Sequence, residues 1–247
     1  MSDLHKLMVA VGKRCPGGVL PKDYLVLDLE TSGLRWNPAP GKKADVIVQI
    51  GYAAVKDGLV VENNAHYLRR AAGTMSPEAE RITRINDGML QQFGEPPMEF
   101  YQRLLPMLQL YMDSNCMIVG HNAISFDMPF LNAELGREGL SFDYSNDRLL
   151  DTGCLFKAVQ LETVPGPDET LGMFLRRVRH TRSRVKWNLS YAMATLELDR
   201  EFDLDLDQAH DAGFDCLMTQ MLFEKLRNAD AGDAFERLRN GRSPQNK

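Results

Sequence analysis

The sequence predicts an α/β domain in which a mixed sheet is flanked by helices. Three observations carry this. A first apolar strand near the N-terminus is followed by two strand-like segments rich in valine and isoleucine. Short apolar segments then alternate with segments of helical periodicity. The chain of 247 residues is 44% apolar and 26% charged, an ordinary globular composition with enough material for a sizeable core.

Taken in order, residues 1–22 begin with a short helix and end in the turn-rich CPGGVLPK. YLVLDLE (24–30) reads as a strand, and RWNPAPGKKAD (35–45), with two prolines and a glycine, as a loop. VIVQIGYAAV (46–55) and LVVENNAHYL (59–68) are strands joined by a Lys56-Asp57-Gly58 hairpin turn. Ser76 is a helix N-cap, with Pro77 at the first helical position and acids behind it. Residues 98–112 are helical, with Pro106 a site for a kink. NCMIVG (115–120) is a short strand and FDMPFLNAEL (126–135) a helix with Gly136 near its end. DRLLDT (147–152) is a further strand, and residues 153–206 read as mostly helical, broken at VPGPDE. The last helix falls within 209–226, where apolar residues at 214, 217, 218, 221, 222 and 226 form a stripe. Residues 228–247 are polar and read as a frayed tail. The organisation is therefore an N-terminal extension (1–22), one domain (23–227) and a tail (228–247).

The formal net charge of −5 argues against a nonspecific nucleic-acid coat protein. Cys15, Cys116, Cys154 and Cys216 are scattered, with no CxxC pair. That suits a soluble protein of the reducing cytoplasm better than a disulfide framework or a zinc site. No apolar run approaches the roughly 18–20 residues that a membrane helix needs, and the short LMVAV makes a poor leader.

Three polar stretches stand out against this background. In YLVLDLETSGL, Asp28 and Glu30 point to one face of a strand that is otherwise apolar. Two neighbouring carboxylates repel each other and lose solvation on burial, and a divalent cation removes both costs. Alone, the pair is more simply read as two solvated acids at the strand end. In VGHNAISFDMPFLNAEL (119–135), Asp127 falls in the first turn of a helix, where the helix dipole favours any acid. In HDAGFD (210–215), His210 stands at a helix start and Asp215 one turn further on, at the edge of the apolar stripe.

Together the three stretches are specific. D-L-E-T-S-G-L at 28–34, H-N-x-x-x-F-D-x-x-F-L at 121–131 and H-D-A-x-x-D at 210–215 resemble the DEDDh 3′-5′ exonucleases, the proofreading-type, DnaQ-like branch of the ribonuclease H-like superfamily. QIG at 49–51, INDGM at 85–89 and LLDT at 149–152 are softer matches, and the likeness spans roughly residues 24–226. The resemblance implies a ribonuclease H-like fold, with a mixed five-stranded sheet and helices on both faces. It implies that Asp28, Glu30, Asp127 and Asp215 hold two divalent cations, Mg²⁺ or Mn²⁺, with His210 as general base. Thr31, Leu34, Asn122 and Phe126 would meet the terminal nucleotide. The reaction would release nucleoside 5′-monophosphates from the 3′ end of nucleic acid, single-stranded DNA before RNA.

RRVRHTRSRVKW (176–187) carries six Lys or Arg, His180 and Trp187, which reads either as a guide for a single strand or as a solvated face. The loop at 36–45 reads as an entrance element or a neutral insertion. Two alternatives stand beside the leading reading: an RNA-trimming, oligoribonuclease-like enzyme, and a polymerase-associated subunit that binds 3′ ends, with the C-terminal tail as docking arm. A two-metal phosphatase acting on other substrates would leave the three matching stretches unexplained.

Overall fold

A computed structural model describes residues 2–114, 116–228 and 235. Five strands form one sheet: β1 (Tyr24–Thr31), β2 (Ile47–Lys56), β3 (Leu59–Tyr67), β4 (Met117–Gly120) and β5 (Leu149–Asp151), in the order β3-β2-β1-β4-β5. β1 pairs antiparallel with β2, and β2 with β3, whereas β1–β4 and β4–β5 are parallel. The mixed five-stranded sheet expected of a ribonuclease H-like fold is thus present. Asp57 and Gly58 both have positive φ, 50° and 81°, which is what a two-residue hairpin needs to follow the strand twist.

The helices are α1 (Asp3–Gly12), α2 (Pro77–Thr83), α3 (Asp87–Phe93), α4 (Pro97–Asp113), α5 (Asp127–Arg137), α6 (Thr152–Gln160), α7 (Leu171–His180), α8 (Leu189–Thr195), α9 (Leu198–Glu201) and α10 (Ala212–Arg227). They cover both faces of the sheet. Tyr24 and Val26 of β1 pack with α1, α6, α7, α8 and α10, while Leu25, Leu27 and Leu29 pack with α4 and α5. The alternation of the strand therefore divides the core in two. It also sets Asp28 and Glu30 on the α10 side, in line with Tyr24 and Val26.

Several local outcomes differ from the sequence reading. The helix in the N-terminal segment buries Leu4, Leu7, Met8 and Val11 in the α10-side core, so residues 3–12 pack with the body of the molecule. The stretch 153–206 is interrupted more often than expected: α6 stops at Gln160, and the chain leaves helix again between His180 and Leu189. α3 was not foreseen. It is a single short element with Asn86 capping Met89, and its Gly88 gives no helical signal. α4 runs on through Pro106. Most of the tail expected to fray lies outside the described residues; within it, Phe235 is buried, 5.3 Å from the ring of Phe156.

Candidate active site

β4 pairs with β1 only through Val26. Beyond that point β1 has lost its parallel neighbour, and the N–H of Leu29 is taken by the carboxylate of Asp127 at 3.1 Å. Asp127 opens α5, which begins after the turn at Asn122, whose φ is +68°. The carbonyl of Asn122 accepts from Ser125 and Phe126 at 3.1 and 3.0 Å, and its N–H donates to Asp151 at 3.0 Å. Asp151 is wholly buried and accepts from Ile124 and Cys154 as well. It ties the HN turn to the end of β5, which gives the soft LLDT signal a physical role.

The third stretch is fixed from β2. Gln49, buried, donates from its amide to Asp211 at 2.9 Å and accepts from the N–H of Ala212 at 3.0 Å. Asp211 caps α10 through Phe214. One side chain so uses both ends of its amide to hold the start of that helix. The fit is close. A Cβ on Gly51 would stand 2.2 Å from the carbonyl oxygen of Ala212, so α10 rests directly on the β2 backbone. His210 precedes this anchor with φ +73°, and its N–H reaches Asp215 at 3.3 Å.

These elements bring Asp28, Glu30, Asp127, His210 and Asp215 together at one end of β1. Nδ1 of His210 lies 3.9 Å from Glu30. Ligand atoms of Glu30, His210 and Asp215 all fall within 4.8 Å of one another. Glu30, Asp127 and Asp215 are 7%, 2% and 8% exposed. Among the described residues, no Lys or Arg forms an ion pair with any of the four acids. Burial, then the neighbouring charges of Asp215, Asp127, Glu30 and Asp211, hold the Asp28 carboxyl well above the usual range. Burial first, then Asp215, Asp127 and Asp211, push Glu30 up to about 9. Burial likewise raises Asp127 to about 8 and Asp215 to about 7. His210 moves the other way, lowered by burial and by the charge of Arg84, so its imidazole is neutral at pH 7.

The cluster opens into a cleft of about 1120 Å³. Thr31, Leu34, Asn122 and Phe126 all line it. Leu34 is 77% exposed and takes no part in the core. Phe126 is half-buried on Phe130. The hydroxyl of Thr31 donates to the carbonyl of Gly33 at 2.7 Å and shapes the turn that presents Leu34. The loop at 36–45 contributes Lys43 and Asp45 to the wall; Asp45 accepts from the N–H of Arg35 at 2.8 Å, and Arg137 donates to the carbonyls of Trp36 and Asp45.

The basic stretch divides into parts with different roles. Arg177 pairs with Glu169 and braces Thr163 and Val164. Arg179 donates to Oδ1 of Asn122 at 3.2 Å and sits 4.8 Å from the ring of Trp187. This bond fixes Oδ1 of Asn122 as an acceptor at the wall of the cleft. Trp187 lies against Gly153, and its carbonyl takes the Nε2–H of His121 at 2.8 Å. Nδ1 of that ring lies 3.0 Å from the hydroxyl of Thr152, which also reaches the carbonyl of Gly120 at 3.2 Å. Gln49, Asp151 and Arg179 act on the site from 29 to 163 residues away; the softer QIG and LLDT matches contain the first two, and nothing local in the sequence gives Arg179 its role.

Residues 25–166, more than half of the chain, match the RNase_T family model, described as exonuclease. The chain is 27% identical over 218 residues to the 3′-5′ exonuclease DinG of Staphylococcus haemolyticus, covering 87% of the chain and 19% of that protein. It is 25% identical over 206 residues to the PolC-type DNA polymerase III of Mycoplasma pneumoniae, covering 81% of the chain and 11% of the polymerase. The chain thus spans a fifth or less of the curated relatives it matches. Among solved structures, E. coli exonuclease I in complex with single-stranded DNA superposes with a TM-score of 0.59 at 19% identity, over 86% of this chain and 42% of that one. A further exonuclease I structure gives 0.60 at 19% identity, over 90% and 44%. At this identity the likeness is one of fold.

Proposed function

The chain belongs to the exonuclease family, in its DEDDh group with a ribonuclease H-like fold, and on that premise we propose that it hydrolyses phosphodiester bonds from the 3′ end of single-stranded DNA. The observation that carries this is the meeting of Asp28, Glu30, Asp127 and Asp215 beside His210 at the floor of an open cleft. A group of largely buried carboxylates, raised by burial and by one another and without a Lys or Arg partner among the described residues, is a donor set suited to hard divalent cations. Those four acids would hold Mg²⁺ or Mn²⁺, which when bound would lower the pKa of the attacking water and stabilise the leaving 3′ oxygen.

The chain's own residues supply the rest. His210, neutral at pH 7 and half exposed beside Glu30, would take the proton of the attacking water. The water oxygen bonds to phosphorus as the bond to the 3′ oxygen of the preceding nucleotide breaks. A nucleoside 5′-monophosphate departs, and the leaving 3′ oxygen takes a proton from solvent, which gives the shortened strand its 3′-hydroxyl. Leu34 and Phe126 would press on the terminal base, the turn at Thr31 would meet the 3′-hydroxyl, and the amide of Asn122 would meet the terminal nucleotide.

DNA is preferred as substrate because the exonuclease I structures of the same fold carry single-stranded DNA and the relatives include a DNA polymerase. By the same argument a DNA polymerase is the proposed protein partner, tested by co-purification. The first test is digestion of 5′-labelled DNA and RNA of one sequence with Mg²⁺, Mn²⁺ or EDTA, beside Asp28→Ala. A metal-dependent ladder shortening from the 3′ end, absent in the variant, supports the proposal. Faster loss of RNA would move the substrate to RNA, and no cleavage of either would leave a 3′-end-binding domain.

A further inference from the structure

The exonuclease reading leaves the segment after α7 without a role, and its construction is unusual for a connection. From Arg182 to Asn188 the chain runs without a turn or bend, and Thr181 and Asn188 at its ends have extended dihedrals. Carbonyls at its two ends are anchored to the body. Nζ of Lys157 donates to Arg179 and Thr181 at 3.1 and 2.8 Å, Nε2 of Gln160 to Lys186 at 3.0 Å, and His121 to Trp187. Lys157 is itself buried, so this is a built attachment and no loose loop.

In extended chain, side chains alternate between two sides. Val185 and Trp187 turn inward, partly buried, and line the cleft. Arg182, Arg184 and Lys186 are exposed, as is Ser183, so the alternation of burial runs from Arg184 to Trp187. Among the described residues, neither Arg182 nor Arg184 forms an ion pair, in contrast to Arg177 and Arg179, which are tied to the body. In extended backbone, residues two apart are spaced by ~6.6 Å, which would set the stems of Arg182, Arg184 and Lys186 along ~13 Å. That interval is of the order of the separation between phosphates along a stretched single strand. The lower end of the row reaches the wall of the cleft at Lys186.

We propose that Arg182, Arg184 and Lys186 form a phosphate ladder that holds the single strand behind its 3′ end and leads it into the cleft. The proposal rests on the exonuclease reading and names the surface that the rest of the substrate would use. A row of solvated charges alone would carry no such role. Here the backbone that carries the row is held at Thr181, Lys186 and Trp187 before any ligand arrives, and the row meets the catalytic cleft at Lys186 on a chain whose net charge is −5. Recognition would go through phosphate and not through sugar or base, so it would serve strands of any sequence.

The test compares wild type with R182Q/R184Q and R182K/R184K by fluorescence anisotropy in EDTA, using a thymidylate dodecamer and a trimer too short to reach the strap. The glutamine variant is expected to weaken dodecamer binding about tenfold at low salt, to move the trimer less than about twofold, and to lower the slope of log K against log salt by about 1.4, or ~0.7 for each cation lost. The lysine variant keeps the charge and should retain the dodecamer. Unchanged dodecamer affinity and slope in the glutamine variant would overturn the ladder, as would equal loss in both variants, which marks a displaced strap. Loss of binding to a polyglutamate peptide with the dodecamer unaffected would assign the row to an acidic protein and also overturn it. Mg²⁺-dependent cleavage by wild type is read separately, so a ladder without hydrolysis, or hydrolysis without a ladder, is told apart.

Discussion

Helix α5 carries two buried carboxylates, Asp127 and Glu134, 2% and 1% exposed, and the chain treats them in opposite ways. Glu134 is compensated from several directions: Arg70, the hydroxyl of Tyr101 at 2.5 Å, the N–H of Ile47 at 2.7 Å and Arg137 at 3.7 Å. It joins α5 to β2, α4 and the segment after β3. Asp127, at the other end of the same helix, receives the N–H of Leu29 but no basic side chain among the described residues, and its neighbours are acids. A buried acid with its own cation is architecture. A buried acid facing further acids is an unmet demand for positive charge, and that demand marks the site.

The contrast can be broken in order of effect. Asp127→Asn keeps an acceptor for Leu29 but removes one charge from the cluster. Cleavage of labelled DNA in Mg²⁺ is expected to fall by about 10³-fold or more, the worth of several kcal/mol of cation-assisted stabilisation. In EDTA the same variant should melt higher than wild type. A lower melting temperature would mean that Asp127 stabilises the fold as Glu134 does. Glu134→Ala is expected to do the reverse, costing about 3–5 kcal/mol in urea unfolding because Arg70 loses its partner, with turnover per folded molecule kept. Tyr101→Phe removes one hydrogen bond to Glu134 and should cost about 1.5–3 kcal/mol.

The smallest effect is one of pH. Glu30, Asp127 and Asp215 have folded values raised to about 9, 8 and 7, above their ordinary values of 4.5, 3.8 and 3.8. Raised carboxyls favour the fold while protonated. Their contribution is full below pH 4 and is lost as pH climbs through those raised values. The metal-free melting temperature should therefore fall between pH 6 and 9, and Mg²⁺ should flatten the decline. An equal slope with and without Mg²⁺ would break the link between the cluster and the cation.

Much of this was legible in the sequence where the signal is local. The period-two pattern of β1 put Asp28 and Glu30 on one face, and the Asp57-Gly58 turn fixed the β2–β3 register. The three polar stretches named the acids and His210. What stayed hidden depends on long-range contact. Gln49 looks like one polar residue in an apolar strand until α10 is laid on it. Arg70 and Arg179 read as surface charges until Glu134 and Asn122 meet them. Composition alone made RRVRHTRSRVKW uniform, whereas its residues divide by which neighbours they find. Helix α3 is too short for its periodicity to register.

The contact of Gly51 with Ala212 gives the sheet a say in the chemistry. A single methyl group there has nowhere to go but against the first turn of α10, which carries Asp215 and is entered directly from His210. His210 and Asp215 would be displaced together by a change that touches neither. The spacing between that histidine and the acid cluster is thus gauged by the absence of one carbon atom in the middle of β2.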